Sequence, residues 1–402
     1  MEALPEAISW CEVSAEAIRA NVATLRRGLS QGTELGIVVK SNAYGHGLAA
    51  CAGVFIAAGA DWLIVNSVGE AIALRALARE SPIYICGPVF PDEAPEIGDA
   101  RASVAIYDSE MALALANAGQ GSGQSIGVHI KVETGTNRQG VAPAQALELA
   151  LYVDRLEGVR LEGITTHYAD IEDTTDHRFA LGQLSRLQEV VQAFADAGLP
   201  KAILHSANSA ATLISPATHG GLVRVGIAAY GLWPSNETYA TVLERRLGAD
   251  DAQLPDLQPV LSWRARVAQV KDVAQGEYIG YGRTYRATYP MRIAVLPVGY
   301  YEGYDRRLSN IGHALINGVR APVRGRICMN MAMVDISHIP HVERGTVATL
   351  LGQDGNEEVS AAQWGGWMGS IHYEAIARIH PGQPRYLRLA NGTLTTEESY
   401  GR

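Results

Sequence analysis

Short apolar runs alternate with amphipathic stretches up to Val225, and this alternation limits the fold of the chain more than any other feature. The runs are rich in Val and Ile and contain few polar residues, which is typical of buried parallel strands. They are Glu34–Lys40, Trp62–Asn66, Ile83–Gly87, Ser103–Tyr107, Ile126–Val132, Leu161–His167, Ala202–His205 and Leu222–Val225. Eight strands with helices between them predict an α/β fold, specifically a (β/α)8 TIM barrel.

The stretches between the runs have helical periodicity. Ile18, Val22 and Leu25 share one helical face before the first run, and Arg178–Ala197 is a long amphipathic segment. A doubly wound open sheet would show the same alternation. No G-x-G-x-x-G motif follows the first strand, so the barrel is the favoured prediction.

The pattern changes after Tyr230. Residues 231–259 contain three prolines and predict a linker with one helix. Apolar and polar residues then alternate in Leu261–Lys271, which is typical of strands with one buried face. We therefore assign residues 1–245 to the barrel and residues 246–402 to a mostly-β C-terminal domain. Further strands are predicted at Met291–Val298, Val319–Val323, Met329–Ile336 and Thr346–Leu351.

Charge and composition exclude several classes of function. The formal net charge of −9 argues against a nucleic-acid partner, which needs clustered Lys and Arg. No apolar run is long enough to span a membrane, and the N-terminus lacks the features of a secretion signal. The four cysteines have no metal-binding spacing. We expect a cytoplasmic protein without a metal.

Lys40 ends the first predicted strand and is followed by a glycine-rich loop. A lysine at the C-terminal end of a barrel strand is well placed for catalysis, and partial desolvation makes its amine a better nucleophile. Position alone favours the simpler interpretation, in which a solvated lysine closes a strand.

The motif V-V-K-S-N-A-Y-G-H-G around Lys40 reverses that preference. It resembles the cofactor-lysine signature of the alanine racemase family, with Ser41 in place of the usual alanine. The resemblance extends from Trp10 to about Tyr386. Further motifs follow in the family's order: V-E-T-G-T-N-R, T-H-Y-A, A-N-S-A-A, R-V-G-I, G-Y-G-R-T-Y, V-G-Y-Y-E-G-Y, R-I-C-M-N and H-Y-E. This resemblance implies an enzyme that interconverts L- and D-alanine with pyridoxal 5′-phosphate (PLP).

The resemblance assigns a cofactor-binding set to the matching positions. Lys40 would hold PLP covalently, and Tyr44, Ser209 and the backbone N–H groups of Gly226 and Ile227 would hold its phosphate. Ser209 is also consistent with a helix N-cap. The whole set is Lys40, Tyr44, His167, Asn208, Ser209, Arg224, Gly226, Ile227 and Tyr373.

Arg224 would face the pyridine nitrogen of PLP in this family. Because an arginine does not give up its proton, the ring nitrogen would stay unprotonated. His167 would hold Arg224 and the catalytic tyrosine in place. Arg138 would bind the substrate carboxylate. Lys131, by analogy, would be carbamylated and orient Arg138, whereas an unmodified Lys131 would place two cations together.

Tyr281 matches the second catalytic base of the family. Racemisation needs one acid–base group on each face of the reacting carbon, so Lys40 would serve one face and Tyr281 the other. A tyrosine needs neighbours such as His167 and Arg224 to act at neutral pH. Since the family completes each site with the partner subunit, the resemblance implies a homodimer with shared active sites.

A narrow entrance is implied by the remaining matches, and it would favour small substrates. Tyr300 and Tyr373 would constrict it, Arg306 and Arg326 would line the outer corridor, and the backbone N–H of Met329 would meet the substrate carboxylate.

The sequence departs from the family at Asn330, where C-M-N replaces the usual C-M-D, and at V-G-Y-Y-E-G, which replaces G-Y-A-D-G. We place Asn330 in the substrate-binding set. An amide there can donate a hydrogen bond to a substrate hydroxyl, so a serine or broader-specificity racemase is the alternative. Less favoured are a PLP-dependent decarboxylase, which would lack the Tyr281 motif, and a non-catalytic PLP-binding protein, which would end near Tyr230.

Overall fold

The computed structural model describes residues 5–247 and 254–396, which form two compact units. One unit comprises Ala17–Ser41 and the described part of Ala52–Gln258. The other comprises Asn42–Cys51 and the described parts of Met1–Glu16 and Pro259–Arg402. The described chain begins with strand β1 (Ser9–Ser14) and helix α1 (Ala15–Gly28).

The first unit is built on eight parallel strands, as predicted. They are β2 (Glu34–Val38), β3 (Trp62–Val65), β4 (Ile83–Ile85), β5 (Ala102–Ile106), β6 (Ile126–Lys131), β7 (Val159–Thr165), β8 (Ile203–His205) and β9 (Leu222–Val225). Every residue of β3, β4, β5, β6 and β9 is buried, which explains why these strands show no alternation in the sequence.

These strands form a nearly closed barrel. Their order is β8-β7-β6-β5-β4-β3-β2-β9, so the first strand, β2, pairs with both β3 and the last strand. Two backbone hydrogen bonds join β8 and β9, from Gly221 N to Leu204 O at 2.8 Å and from Arg224 N to Ala207 O at 2.9 Å. Lys40 and His167 each lie two residues beyond the end of their strand.

Helices alternate with these strands. After α1 they are α2 (Lys40–Tyr44), α3 (Leu48–Ala57), α4 (Val68–Leu77), α5 (Ala94–Asp99), α6 (Ser109–Ser122), α7 (Pro143–Asp154), α8 (Arg178–Asp196), α9 (Ser209–Ile214) and α10 (Asn236–Leu247). Within the described ranges, no helix is both long and apolar enough to cross a membrane.

The second unit is mostly β. Its remaining strands are β10 (Leu261–Arg266), β11 (Gln269–Val273), β12 (Tyr278–Ile279), β13 (Tyr285–Arg286), β14 (Met291–Leu296), β15 (His313–Ile316), β16 (Val319–Pro322), β17 (Ala332–Asp335), β18 (Val347–Asp354), β19 (Glu357–Val359), β20 (Arg385–Arg388) and β21 (Leu394–Thr395). Helices α11 (Ala361–Met368) and α12 (His372–Ala377) accompany them.

Aromatic packing holds the largest sheet of this unit. The sheet has the order β16-β15-β18-β10-β1-β20-β21, and β19 pairs with β18. The ring of the fully buried Trp364 lies 5.8 Å from that of Trp263 and 5.3 Å from that of Tyr304. Such contacts supply a large apolar area to a core.

The compact units differ from our assignment of residues 1–245 and 246–402. Strand β1 (Ser9–Ser14) belongs to the sheet of the second unit, since it pairs antiparallel with β10 and parallel with β20. The barrel unit continues to Gln258 and omits Asn42–Cys51. Leu261–Lys271 is not one strand: it breaks after Arg266, and β11 joins a separate sheet with β14 and β17.

Candidate active site

Lys40 starts a helical turn of unusual hand. Ser41, Asn42, Ala43 and Tyr44 all have φ of 53–54°, so α2 is left-handed. A left-handed conformation costs about 1–2 kcal/mol for each residue with a Cβ atom. Backbone strain of this kind persists where surrounding contacts hold it, and it clusters at functional sites.

Hydrogen bonds hold the turn from its C-terminal side. The backbone N–H of Gly47 donates to Asn42 O at 2.9 Å, and that of Leu48 donates to Asn42 Oδ1 at 2.8 Å. A Cβ atom on Gly45 would lie 2.0 Å from Ile376 O, so no other residue fits there. These contacts fix the backbone that follows Lys40.

Arg224, in β9, is held by several hydrogen bonds inside the barrel unit. Only 8% of it is exposed. Its Nη1 donates to His205 Nδ1 and His205 O, both at 2.8 Å, and to Thr165 Oγ1 at 3.1 Å. Its Nη2 donates to Thr166 O at 2.8 Å. The guanidinium therefore has a fixed position inside the barrel.

His167 is a weaker partner of Arg224 than the sequence suggested. The distance from Arg224 Nη2 to His167 Nδ1 is 3.5 Å, at the outer limit of a hydrogen bond. Burial lowers the pKa of His167 well below its usual value, and the positive charges of Arg224, Arg138, Lys131 and Lys40 lower it further. His167 is therefore neutral, and one of its ring nitrogens can accept a hydrogen bond.

Lys131 lies at the end of β6 among cations. Burial lowers the pKa of its amine to about 8, and the charges of Arg224, Arg138 and Lys40 act in the same direction. Its Nζ donates to Gln139 Oε1 at 2.9 Å. In the described part of the chain, Nε2 of Gln139 is buried and has no hydrogen-bond partner. Gln139 belongs to none of the motifs identified in the sequence.

Ser209 and the segment after β9 form a small polar cradle. The Ser209 hydroxyl accepts from the backbone N–H of Gly226 at 2.9 Å and from that of Ala228 at 3.4 Å. Asn208, and not Ser209, is the N-cap of α9, because its side chain accepts from Ala211 N at 2.9 Å. Loops after the seventh and eighth strands of barrels commonly bind phosphate.

Tyr281 belongs to the second unit and lies in a tight turn between β12 and β13. Gly280, Gly282 and Arg283 all have positive φ, which turns the chain sharply around the tyrosine. The side chain is 69% exposed. A Cβ atom on Gly282 would lie 2.7 Å from Nη1 of Arg326, so the guanidinium of Arg326 packs against this turn.

Tyr373, at the start of α12, is close to Tyr44. Their ring centroids are 6.3 Å apart and the rings are tilted by 49°. Both side chains are partly exposed. The structure therefore brings together two of the tyrosines that the family resemblance assigns to the cofactor.

Two loops of the second unit hold Tyr300, Met329 and Asn330. Tyr300 N donates to Cys328 O at 3.1 Å. The Asn330 amide donates to Glu302 Oε1 at 2.6 Å, and the backbone N–H of Gly299 donates to Glu302 Oε2 at 2.8 Å. The amide nitrogen of Asn330 thus contacts a protein carboxylate, a partner that the sequence did not predict.

The predicted site residues fall into two sets. The barrel unit holds Lys40, Lys131, Arg138, His167, Asn208, Ser209, Arg224, Gly226 and Ile227. The second unit holds Tyr44, Tyr281, Tyr300, Arg306, Arg326, Met329, Asn330 and Tyr373. The sequence missed three residues that contact these sets: His205, Gln139 and Glu302. His205 directly precedes S-A-N-S-A-A, so the end of β8 was a usable signal.

Comparison with known proteins shows the same family that the motifs resemble. Residues 13–234 match the N-terminal domain of alanine racemase, and residues 260–387 match its C-terminal domain. The alanine racemase of Leptospira interrogans serovar copenhageni is 35% identical over 379 residues, which cover 94% of this chain and 95% of the relative.

Solved structures give the same result. The alanine racemase of Bacillus anthracis with bound L-Ala-P has a TM-score of 0.88 and 30% identity, over 98% of both chains. The alanine racemase of Bartonella henselae, solved with covalently bound pyridoxal phosphate, has a TM-score of 0.79 at 23% identity. It covers 95% of this chain and 99% of its own, and at that identity it supports the fold alone.

Proposed function

This chain belongs to the alanine racemase family, and we propose that it interconverts L- and D-alanine by a two-base mechanism with PLP held at Lys40. One observation carries the cofactor assignment. The fixed cation Arg224 and the cradle of Ser209 and Gly226 lie in consecutive strand-end segments of the barrel unit that contains Lys40.

The chemistry of these groups fits PLP. A hydroxyl and backbone N–H groups that converge at the start of a helical segment suit a phosphate. A buried guanidinium suits an unprotonated pyridine nitrogen, to which it donates a hydrogen bond without losing its proton. Lys40, Tyr44, His167, Asn208, Ser209, Arg224, Gly226, Ile227 and Tyr373 would hold the cofactor.

PLP supplies an electron sink that makes the α-proton of a bound amino acid acidic. The chain then has to move that proton. Lys40 Nζ would give or take it on one face of the α-carbon, and the hydroxyl of Tyr281 would do so on the other. Arg138 and the backbone N–H of Met329 would orient the substrate carboxylate. Tyr300, Arg306 and Arg326 would restrict the entrance to small amino acids.

A carbamylated Lys131 is consistent with its surroundings. The lowered pKa leaves a larger fraction of the amine unprotonated at neutral pH. An unprotonated amine can add to carbon dioxide, which forms an N–C bond and releases one N–H proton to solvent. The product is an anion among Arg224, Arg138 and Lys40. Nε2 of Gln139, which has no hydrogen-bond partner among the residues that the structure describes, would donate a hydrogen bond to it.

A homodimer is the assembly that the family membership suggests for this chain. Tyr281, Tyr301, Met329, Met331 and Ile371 of the second unit are each more than half exposed, so they are available to a partner. In the dimer, Tyr281 of one subunit would complete the site that contains Lys40 of the other. We place the enzyme in the cytoplasm, since its cysteines are unpaired.

Incubation of the purified protein with L-alanine tests this function directly. Loss of optical activity without release of carbon dioxide is the expected result. Release of carbon dioxide would identify a decarboxylase, and neither change in a PLP-loaded sample would indicate a binding protein without turnover.

A further inference from the structure

Within residues 5–247 and 254–396, the hydrogen-bond acceptors of the buried Arg224 guanidinium are all neutral. They are the hydroxyl of Thr165, the imidazoles of His205 and His167, and the carbonyl groups of His205, Thr166 and Ser206. Burial lowers the pKa of this guanidinium, since it disfavours the charged form. A buried cation without a counter-charge is strongly unfavourable. These six contacts fix the position of Arg224 but do not neutralise it.

A chain of hydrogen bonds leads from Arg224 to a carboxylate. His205 Nδ1 is 2.8 Å from Arg224 Nη1, and His205 Nε2 is 2.8 Å from His129 Nδ1. His129 Nε2 is in turn 3.2 Å from Glu162 Oε2. Both imidazoles are completely buried, whereas 16% of the Glu162 side chain is exposed.

The chemistry of arginine fixes the direction of this chain. A guanidinium only donates, so His205 Nδ1 must accept and His205 Nε2 must carry the proton. The same reasoning applies to His129. Its Nδ1 accepts the hydrogen bond from His205 Nε2–H, so its Nε2 carries the proton and donates to Glu162. Burial lowers the pKa of both histidines, which keeps them neutral. All the donors therefore point from Arg224 towards Glu162.

Glu162 is anionic at the end of this chain. Burial alone would raise the pKa of its carboxyl, but hydrogen bonds from His129, Ser103 and Arg160 outweigh burial and lower the pKa to about 2. Ser103 and Arg160 lie near the starts of β5 and β7. Glu162 is therefore anchored towards the N-terminal ends of the barrel strands.

Two glycines leave the space that the chain occupies. A Cβ atom on Gly163 would lie 2.0 Å from His129 Nδ1, and one on Gly127 would lie 2.1 Å from Glu162 Oε2. The ring of Tyr84 covers both imidazoles, at centroid distances of 4.5 Å from His129 and 5.3 Å from His205. The barrel interior is shaped around these side chains.

We propose that Glu162 is a positioning residue for Arg224, whose buried positive charge it balances through His129 and His205. The chain keeps Arg224 a cation and fixes the direction of its N–H groups. That Arg224 faces the PLP ring rests on the proposed function, whereas its link to Glu162 does not.

A double-mutant cycle with the PLP-loaded protein tests the link. Glu162→Gln keeps a hydrogen-bond acceptor for His129 but removes the charge. We expect it to lower the thermal midpoint by about 4 °C or more when Arg224 is present, and by less than about 2 °C in Arg224→Gln. Equal shifts in both backgrounds would mean that Glu162 acts only locally, and the proposal would be wrong.

Nitrogen NMR of ¹⁵N-histidine-labelled protein gives a second readout, independent of racemisation and of the folding of Arg224→Gln. His129 and His205 should both be neutral with the proton on Nε2, and Glu162→Gln should shift the signals of His205, which Glu162 does not touch. Arg160→Gln is the matched control, because it removes the exposed partner of Glu162, and it should leave His205 unchanged. A proton on Nδ1 of either histidine, or an unchanged His205 in Glu162→Gln, would overturn the proposal.

Discussion

The two sets of site residues differ in how firmly the chain holds them. In the barrel unit, Arg224, Lys131 and Ser209 are 8%, 8% and 4% exposed, and each is hydrogen-bonded inside the protein. In the second unit, Tyr281 and Met329 are 69% and 55% exposed. The barrel's own contacts thus hold these three residues, whereas Arg138 of the same set is exposed. The exposed set is the part that a second subunit would complete.

Lys40→Ala should have the largest effect, because it removes the amine that would hold the cofactor. Borohydride reduction should fix PLP to the wild type and not to the variant, and racemisation should be lost. The control is Lys201→Ala, an exposed lysine outside the site set. Labelling of a different lysine in the wild type would contradict the assignment.

Tyr281→Phe should leave the barrel set intact while racemisation falls by at least about two orders of magnitude. The family assigns the tyrosine to the L-enantiomer and the lysine to the D-enantiomer. Exchange of the α-proton of D-alanine with deuterium should therefore survive better than that of L-alanine, as followed by NMR. Intact exchange from both enantiomers would show that Tyr281 is not the second base. Tyr289→Phe, a partly exposed tyrosine of the same unit, is the control.

Gln139→Glu should suppress modification of Lys131, because a carboxylate would pair with the ammonium form and repel a carbamate. In the wild type, a carbamate signal from ¹³C-labelled carbon dioxide should grow as the pH rises through about 8 at constant dissolved carbon dioxide, since the lowered pKa places deprotonation of Lys131 there. Gln139→Leu, which removes the donor without adding charge, should give an intermediate signal. A signal equal in all three proteins would contradict the role of Gln139.

Asn330→Asp should have the smallest effect of these changes. It places a second carboxylate beside Glu302, so we expect the loop around Tyr300 to shift and KM to rise by about threefold to tenfold for alanine and serine alike. The double variant Asn330→Asp with Glu302→Gln should restore most of the affinity. A change in the ratio of kcat/KM for alanine and serine would instead support direct contact between residue 330 and the substrate.

The sequence predicted the barrel well because five of its eight strands, β3, β4, β5, β6 and β9, are buried on both faces and therefore show little alternation of apolar and polar residues. It predicted less of the site, since motifs name residues but not their partners. His129 and Lys131 are two apart in β6 and so share a strand face, yet only the structure shows that His129 contacts His205. Ser41 and Ala43 are not residues that favour positive φ, so the left-handed turn after Lys40 was not predictable.

In the proposed enzyme, one subunit supplies the barrel set of each active site and the other supplies Tyr281. Subunits carrying Lys40→Ala and subunits carrying Tyr281→Phe, each inactive alone, can be mixed in equal amounts, dissociated and reassembled. Half of the dimers would then be hybrids with one intact site, so activity should return to about a quarter of the wild-type value. Reassembled hybrids that stay inactive would contradict the shared site.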